Sequence, residues 1–352
     1  MTKSVWFKVL IVILLILLLT AIGVFVFKII QDKNRKTIQT VETIENEPQK
    51  EEKKIQIYSG NQRPIAVMID NVEAAWPQSS INDAYIVYEI IVEGGQTRLM
   101  AVFKNSNADV VGPIRSARHY FLDYALENDA IYAHLGWSPQ AQSDISSLKI
   151  NNINGLYYDS GKARTGSSTY WRDTKRLAPH NAFSCITKLY EIAQSNKYRI
   201  TSDKESILNY STEEIELNSE TIANTVKIPY STSYTVKFEY NAETKRYTKY
   251  SKGKKQVDSS SGEDITTKNI IITFADNYTL NDTENKGRQG LNNIGTLDGY
   301  YITNGKAIPI KCSKTSRDAQ TVYKGLDGKE ININDGNTFI QICPLESKVV
   351  IE

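Results

Sequence analysis

Cysteine and histidine are scarce in this 352-residue chain, with three of each. Cys185, Cys312 and Cys343 are odd in number, far apart and without CxxC spacing. That excludes a disulfide framework and offers no zinc or dithiol motif. Cys312 and Cys343 are the pair that could close in an oxidising compartment; burial as small hydrophobes is the plainer reading. Charge of one sign is not in excess either, since 42 basic side chains face 40 acidic ones for a net +2. No broad field therefore points to nucleic acid. A phosphate-cradling glycine loop, an HExxH pair and a GxSxG nucleophile elbow are all missing. The Asp- and Asn-rich run 276–290 lacks the alternating acidic spacing of a calcium loop and reads as a solvated connection. No metal and no cofactor is expected.

What the chain does have is a long apolar run at its start. Val9 to Phe27 is 19 residues without a charge. As a helix it spans roughly 28 Å, close to the hydrocarbon thickness of a bilayer. A cleavable signal peptide is the competing reading, with Ala21 and Gly23 as small residues before a cut. That cut would fall inside the apolar run, because Val24 to Phe27 follow it. An uncleaved anchor over 1–30 is expected, with the lipid bilayer as a partner. Lys3 and Lys8 precede the run, while Lys28, Lys33, Arg35 and Lys36 follow it. Charge balance alone would place the bulk of the chain in the cytoplasm.

Residues 31–54 are rich in Lys, Glu, Gln, Asn and Thr and read as a flexible stalk, or else as a short solvated helix. The texture then becomes α+β, with strands over 64–71, 84–93 and 97–104. Gly94-Gly95-Gln96 makes the last two a hairpin. A helix is expected over 115–128 after Gly112-Pro113, and a strand over 130–135. A helix follows from the Ser138 cap with Pro139 at its first position, and another covers 182–195. This N-terminal domain, 55–200, reads as a mixed or antiparallel sheet with helices. Residues 201–225 read as a connection. A mostly β C-terminal domain, 226–352, carries hairpins at 241–245, Asn304-Gly305 and Asp327-Gly328, and Asp335-Gly336 opens the last strand.

Unusual polar residues concentrate in the first domain. Asp70 and Asn71 end an apolar strand, where a site commonly opens, though a capped turn would use them equally well. Glu93 and Arg98 flank the Gly-Gly loop and suit a cross-strand pair worth under ~1 kcal/mol if exposed. Arg115 and Arg118 fall in the first turn of the expected 115–128 helix, where the macrodipole disfavours cations. They call for a compensating acid: Asp70, Glu93, or an anionic group on a ligand or partner, which an arginine fork binds well. His134 ends a strand before Gly136-Trp137-Ser138, and His180 follows Pro179. A histidine with a nearby carboxylate suits general-base work, although structural roles are commoner.

Several of these segments occur together in one order: RPIAVMIDN (63–71), Trp76-Pro77-Gln78, YEIIVEGGQTR (88–98), GPIRSAR (112–118), AHLGWSPQA (133–141), APHN (178–181) and DGNTFIQICP (335–344). The set resembles the YerB-like family of bacterial envelope lipoproteins and covers nearly everything after the stalk. The resemblance implies a two-domain extracytoplasmic protein, typical of Gram-positive bacteria, and carries over no catalytic residue. It also implies that the folded part faces outward. Two positions depart from the family: no lipobox cysteine lies near this N-terminus, and Cys312 stands where tryptophan is usual.

The reading that follows is a membrane-anchored extracytoplasmic binding or scaffold module whose partner is a cell-wall polymer or another envelope protein. Its candidate ligand-contacting residues are Asp70, Asn71, Glu93, Arg98, Arg115, Arg118, His134 and His180. The alternative is a hydrolase or transferase of cell-wall material with His134 or His180 as base and Asp70 or Glu93 assisting.

Overall fold

The computed structural model describes residues 3–45 and 53–352. Two compact units result, Met1–Lys53 and Lys54–Glu352. The first contains one helix, Lys3–Glu45, of which Ser4–Lys36 is long and apolar enough to cross a membrane. Of the two readings of the stalk, a flexible segment or a solvated helix, the helix is the one formed over 31–45. That stretch has neither Gly nor Pro to break it, the first proline being Pro48. The rest of the expected stalk, 46–52, lies outside the described residues.

The second unit is built on an 11-stranded mixed sheet. From one edge its path runs Val322–Gly325, Lys306–Lys314, Gly295–Thr303, Asn269–Thr279, Thr338–Pro344, Ile86–Ile91, Thr97–Phe103, Ile65–Asp70, Ile131–His134 and Asn152–Asn154. The Gln289–Asn292 strand pairs with the end of Asn269–Thr279. Tight turns dictate the antiparallel pairs: Gly94 and Gly95 at φ 67° and 68°, and Asn304-Gly305 at 49° and 73°. The seam between the sequence halves is parallel instead. Thr338–Pro344 inserts between Asn269–Thr279 and Ile86–Ile91, parallel to both. The change of texture at 201–225 is therefore no boundary between separate bodies, since strands from both sides share one sheet. Residues 210–211 of that segment themselves pair with Ile333–Asn334.

Both faces of the sheet are covered, so its central strands read as continuous apolar runs. Ile65, Val67 and Ile69 pack toward the Ile186–Ser195 helix and a second sheet contributing Val226, Ile228, Val236 and Phe238. That sheet is ordered Lys254–Lys255, Arg246–Ser251, Tyr234–Asn241, Thr225–Ser231, Val350–Ile351. Ala66 and Met68 face the other way, toward Tyr120, Phe121 and Ala125 of the His119–Glu127 helix and Ala141 and Ile145 of the Pro139–Ser147 helix. The fold is α+β, with Ser138 capping Ala141 N and Pro139 opening its helix as expected.

Three local expectations change. The helix expected over 115–128 begins only at His119, because the backbone of 114–117 is already bonded on both sides. Arg115 N donates to Met68 O, Leu135 N to Arg115 O, and Ala117 N to Gly136 O. The helix expected over 182–195 starts at Ile186, since Ala182–Ser184 is a strand paired with Tyr170–Arg172. The 276–290 connection is the tip of a hairpin, with strand through Thr279 and again from Gln289. All three cysteines are free and buried.

Candidate functional site

Asp70 is the last residue of a fully buried strand, and its cross-strand neighbour is Arg98. Its carboxylate is almost sealed, and Oδ2 meets both His180 Nδ1 at 2.7 Å and Arg115 Nε at 3.0 Å. Glu93 lies on the Gly-Gly turn beside it. The expected Glu93–Arg98 pair is not formed. Arg118 instead grips Glu93 with a two-pronged fork, Nε to Oε1 at 2.6 Å and Nη2 to Oε2 at 3.0 Å. Burial pushes the Glu93 carboxyl up, but this fork more than offsets it, and the group sits below the usual carboxylate range. The demand of Arg115 and Arg118 for acids is thus met by Asp70 and Glu93, as one of the sequence alternatives required.

Arg98 is the odd member. It is 6 % exposed, donates Nη1 to Ser116 O at 2.6 Å, and its buried Nε has no partner. Burial, followed by the neighbouring Arg118 and Arg115 cations, brings its guanidinium down to about 10. Asp70, Glu93, Arg98, Arg115 and Arg118 line one open cleft of about 530 Å³, together with Ser116, Trp137, Lys286 and Arg288. The last two come from the 276–290 hairpin tip, which the sequence reading treated as mere connection. Arg288 is tied to Asp282 at 2.7 Å and also to Glu284, and Lys286 meets Glu284 at 2.8 Å. Their one sequence signal is a basic pair, Lys286 and Arg288, closing an otherwise acidic and amide-rich run.

The other candidates lie outside the cleft walls. Asn71 is fully buried beneath it, with Nδ2 facing Glu89 Oε1 at 2.9 Å, Thr97 Oγ1 at 2.8 Å and Tyr234 OH at 2.8 Å. It joins strands rather than meeting solvent. His134 is likewise sealed, Nδ1 bonded to Gly136 O at 2.8 Å and Nε2 at 3.2 Å from the Asn152 side chain. Burial drives its imidazole down to about 4, so it is neutral and Nδ1–H donates to the carbonyl. Neither residue is open to a ligand. His180 is partly open but stands behind Asp70. Among the described residues, no group of three or more His, Cys, Asp or Glu side chains is placed to hold a metal.

The chain matches two halves of one family model, Protein of unknown function (DUF3048): the N-terminal domain over residues 49–199 and the C-terminal domain over 226–340. It is 29% identical over 294 residues to "Putative lipoprotein YerB" of Bacillus subtilis (strain 168), covering 80% of this chain and 81% of that protein. The crystal structure of the YerB protein from Bacillus subtilis superposes with a TM-score of 0.72 at 28% identity, over 82% of this chain and 94% of that one. These matches run through both sequence halves and the sheet that joins them. The chain therefore belongs to the YerB-like, DUF3048 family, whose members include that "Putative lipoprotein YerB", and its apolar N-terminal helix fits a membrane anchor or a signal sequence.

Proposed function

We propose that the protein is a single-pass, extracytoplasmic binding module of the cell envelope, whose arginine cleft engages a cell-wall polymer. The observation that carries this reading is the cleft itself. Four arginines and two carboxylates line its walls, drawn from residues 70–118 at a buried sheet end and from the 276–290 hairpin tip. Such a preorganised polar site on rigid elements suits recognition. A hydrolytic role is less well supported, because His134 is sealed and His180 shares one Asp70 oxygen with Arg115. The apolar helix supplies the tether, and family membership supports the envelope location.

Gln96 lines the cleft and reports on its occupant. With a photoreactive benzoylphenylalanine at position 96, irradiation of native membranes is expected to crosslink the protein to wall polymer. The same group at Lys329, whose side chain is 85% exposed, serves as the control. Equal capture at both positions, or none at position 96, would remove the cleft from the function.

A further inference from the structure

We infer that the cleft binds a singly charged oxyanion, a phosphodiester or carboxylate, carried on an extended and otherwise uncharged polyhydroxyl chain that continues into the neighbouring groove. This inference rests on the cleft being the binding site. Charge sets the valence. Five cations line the cleft: Arg98, Arg115, Arg118, Lys286 and Arg288. Asp70, Glu93, Asp282 and Glu284 hold four of their charges. One positive charge is left, and its place is identifiable. Among the described residues no carboxylate comes within ion-pair distance of Arg98, whose buried Nε has no partner. A buried guanidinium that keeps Ser116 O for Nη1 but has no acceptor at Nε and no paired carboxylate is costly, and an incoming oxyanion repairs this with charge-assisted bonds. A dianion would leave a net negative charge in a half-closed site.

The carrier is read from a second cavity, an open groove of about 1110 Å³. Ser79, Ser80, Asn105, Asn107, Ser259 and Ser260 line it, over Trp171 and Phe183. The Arg164 and Arg176 guanidiniums lie over those two rings, 4.5 Å and 5.4 Å from the centroids. Its charges balance: Arg164, Arg172, Arg176 and Lys104 stand against Asp83, Asp109, Asp173 and the Asp159 that pairs with Arg172. Both rings are buried beneath those guanidiniums, so the ligand-facing groups are the short neutral donors and acceptors, which suit hydroxyl-rich chains better than charged ones.

Two short connectors join groove to cleft. Val110 lines the groove and Arg115 the cleft, so five residues bound their separation at about 18 Å. Arg176 lines the groove, and His180, four residues on, touches Asp70 of the cleft. One chain of a few ring or polyol units spans that distance.

The test titrates the full-length protein, in micelles of an uncharged polyoxyethylene detergent, with four polymers. These are dextran sparsely substituted with phosphodiester groups, dextran sparsely carboxymethylated, plain dextran and poly-L-glutamate, and binding is followed by calorimetry. At least one of the first two is expected to bind tenfold or more tighter than both dextran and poly-L-glutamate, and their ranking separates phosphodiester from carboxylate. Arg98→Gln is expected to remove that preference. Lys286→Glu, at a side chain 64% exposed, tests the same point without touching the core and is expected to weaken the preferred polymer at least tenfold while leaving dextran unchanged. Equal binding of poly-L-glutamate, binding indifferent to Lys286→Glu, or no binding of either anionic polyol overturns the inference. If photocapture from position 96 still succeeds, the site stands and only the ligand class falls.

Discussion

Replacing Lys249 with methionine is expected to lower the unfolding free energy by about 3–5 kcal/mol, the usual cost of orphaning one partner of a buried ion pair. Lys249 Nζ lies 3.3 Å from Glu89 Oε2, and the two side chains are 2% and 0% exposed. Burial pulls the Lys249 ammonium below its usual range, and Glu89 opposes that pull. Glu89 belongs to the Ile86–Ile91 strand and Lys249 to the second sheet, so the pair links the two sequence halves. Without the cation, Glu89 keeps Asn71, Thr97 and Tyr234 as donors but no compensating charge. Glu89→Gln/Lys249→Met is expected to recover most of the loss, because no buried charge is then stranded. Urea unfolding of the full chain in micelles, followed by tryptophan fluorescence, measures both. A single-variant loss under about 1 kcal/mol would mean that water reaches this seam.

Acidification is expected to weaken the fold through His134. Its folded-state imidazole is held down at about 4, against about 6.5 in an unfolded chain. Between those values the unfolded chain binds the extra proton. The His134 contribution is therefore complete above pH 6.5 and lost as pH falls toward 4. At one pH unit per 1.36 kcal/mol it amounts to about 3 kcal/mol, with no further loss at lower pH. His119, also lowered by burial, adds a slope of the same sign, so the diagnostic quantity is the difference between wild type and His134→Gln. The variant is expected to be less stable at pH 7, with the difference closing as pH approaches 4. A constant difference across that range would mean that His134 takes up its proton as readily in the folded protein as in the unfolded chain.

Local signals carried much of this architecture. The uncharged run 9–27 announced the helix, Asn304-Gly305 and Gly94-Gly95 announced their hairpins, and Ser138-Pro139 announced a helix start. Long-range pairing leaves no such trace. Nothing near Thr338–Pro344 shows that it inserts between strands some 70 and 250 residues away, joining two halves that differ in texture. The same limit explains the site. Arg115 and Arg118 were recognisable as cations needing acids, and their acids proved to be Asp70 and Glu93. Arg98 looked like half of a hairpin salt bridge, yet Arg118 takes its expected partner and leaves it exceptional. Lys286 and Arg288 reach the cleft through tertiary folding alone. His134 and Asn71 carried chemistry by type, and only burial reveals that their polar atoms are already used.

Side of the membrane is the claim on which the envelope function stands, and cysteine labelling reads it directly. The native cysteines are buried, so a single Lys329→Cys substitution supplies one reactive thiol on the folded unit. Intact cells treated with a membrane-impermeant maleimide are predicted to label that thiol to the same extent as lysed cells. Labelling that appears only after lysis would place the folded unit in the cytoplasm and contradict the account.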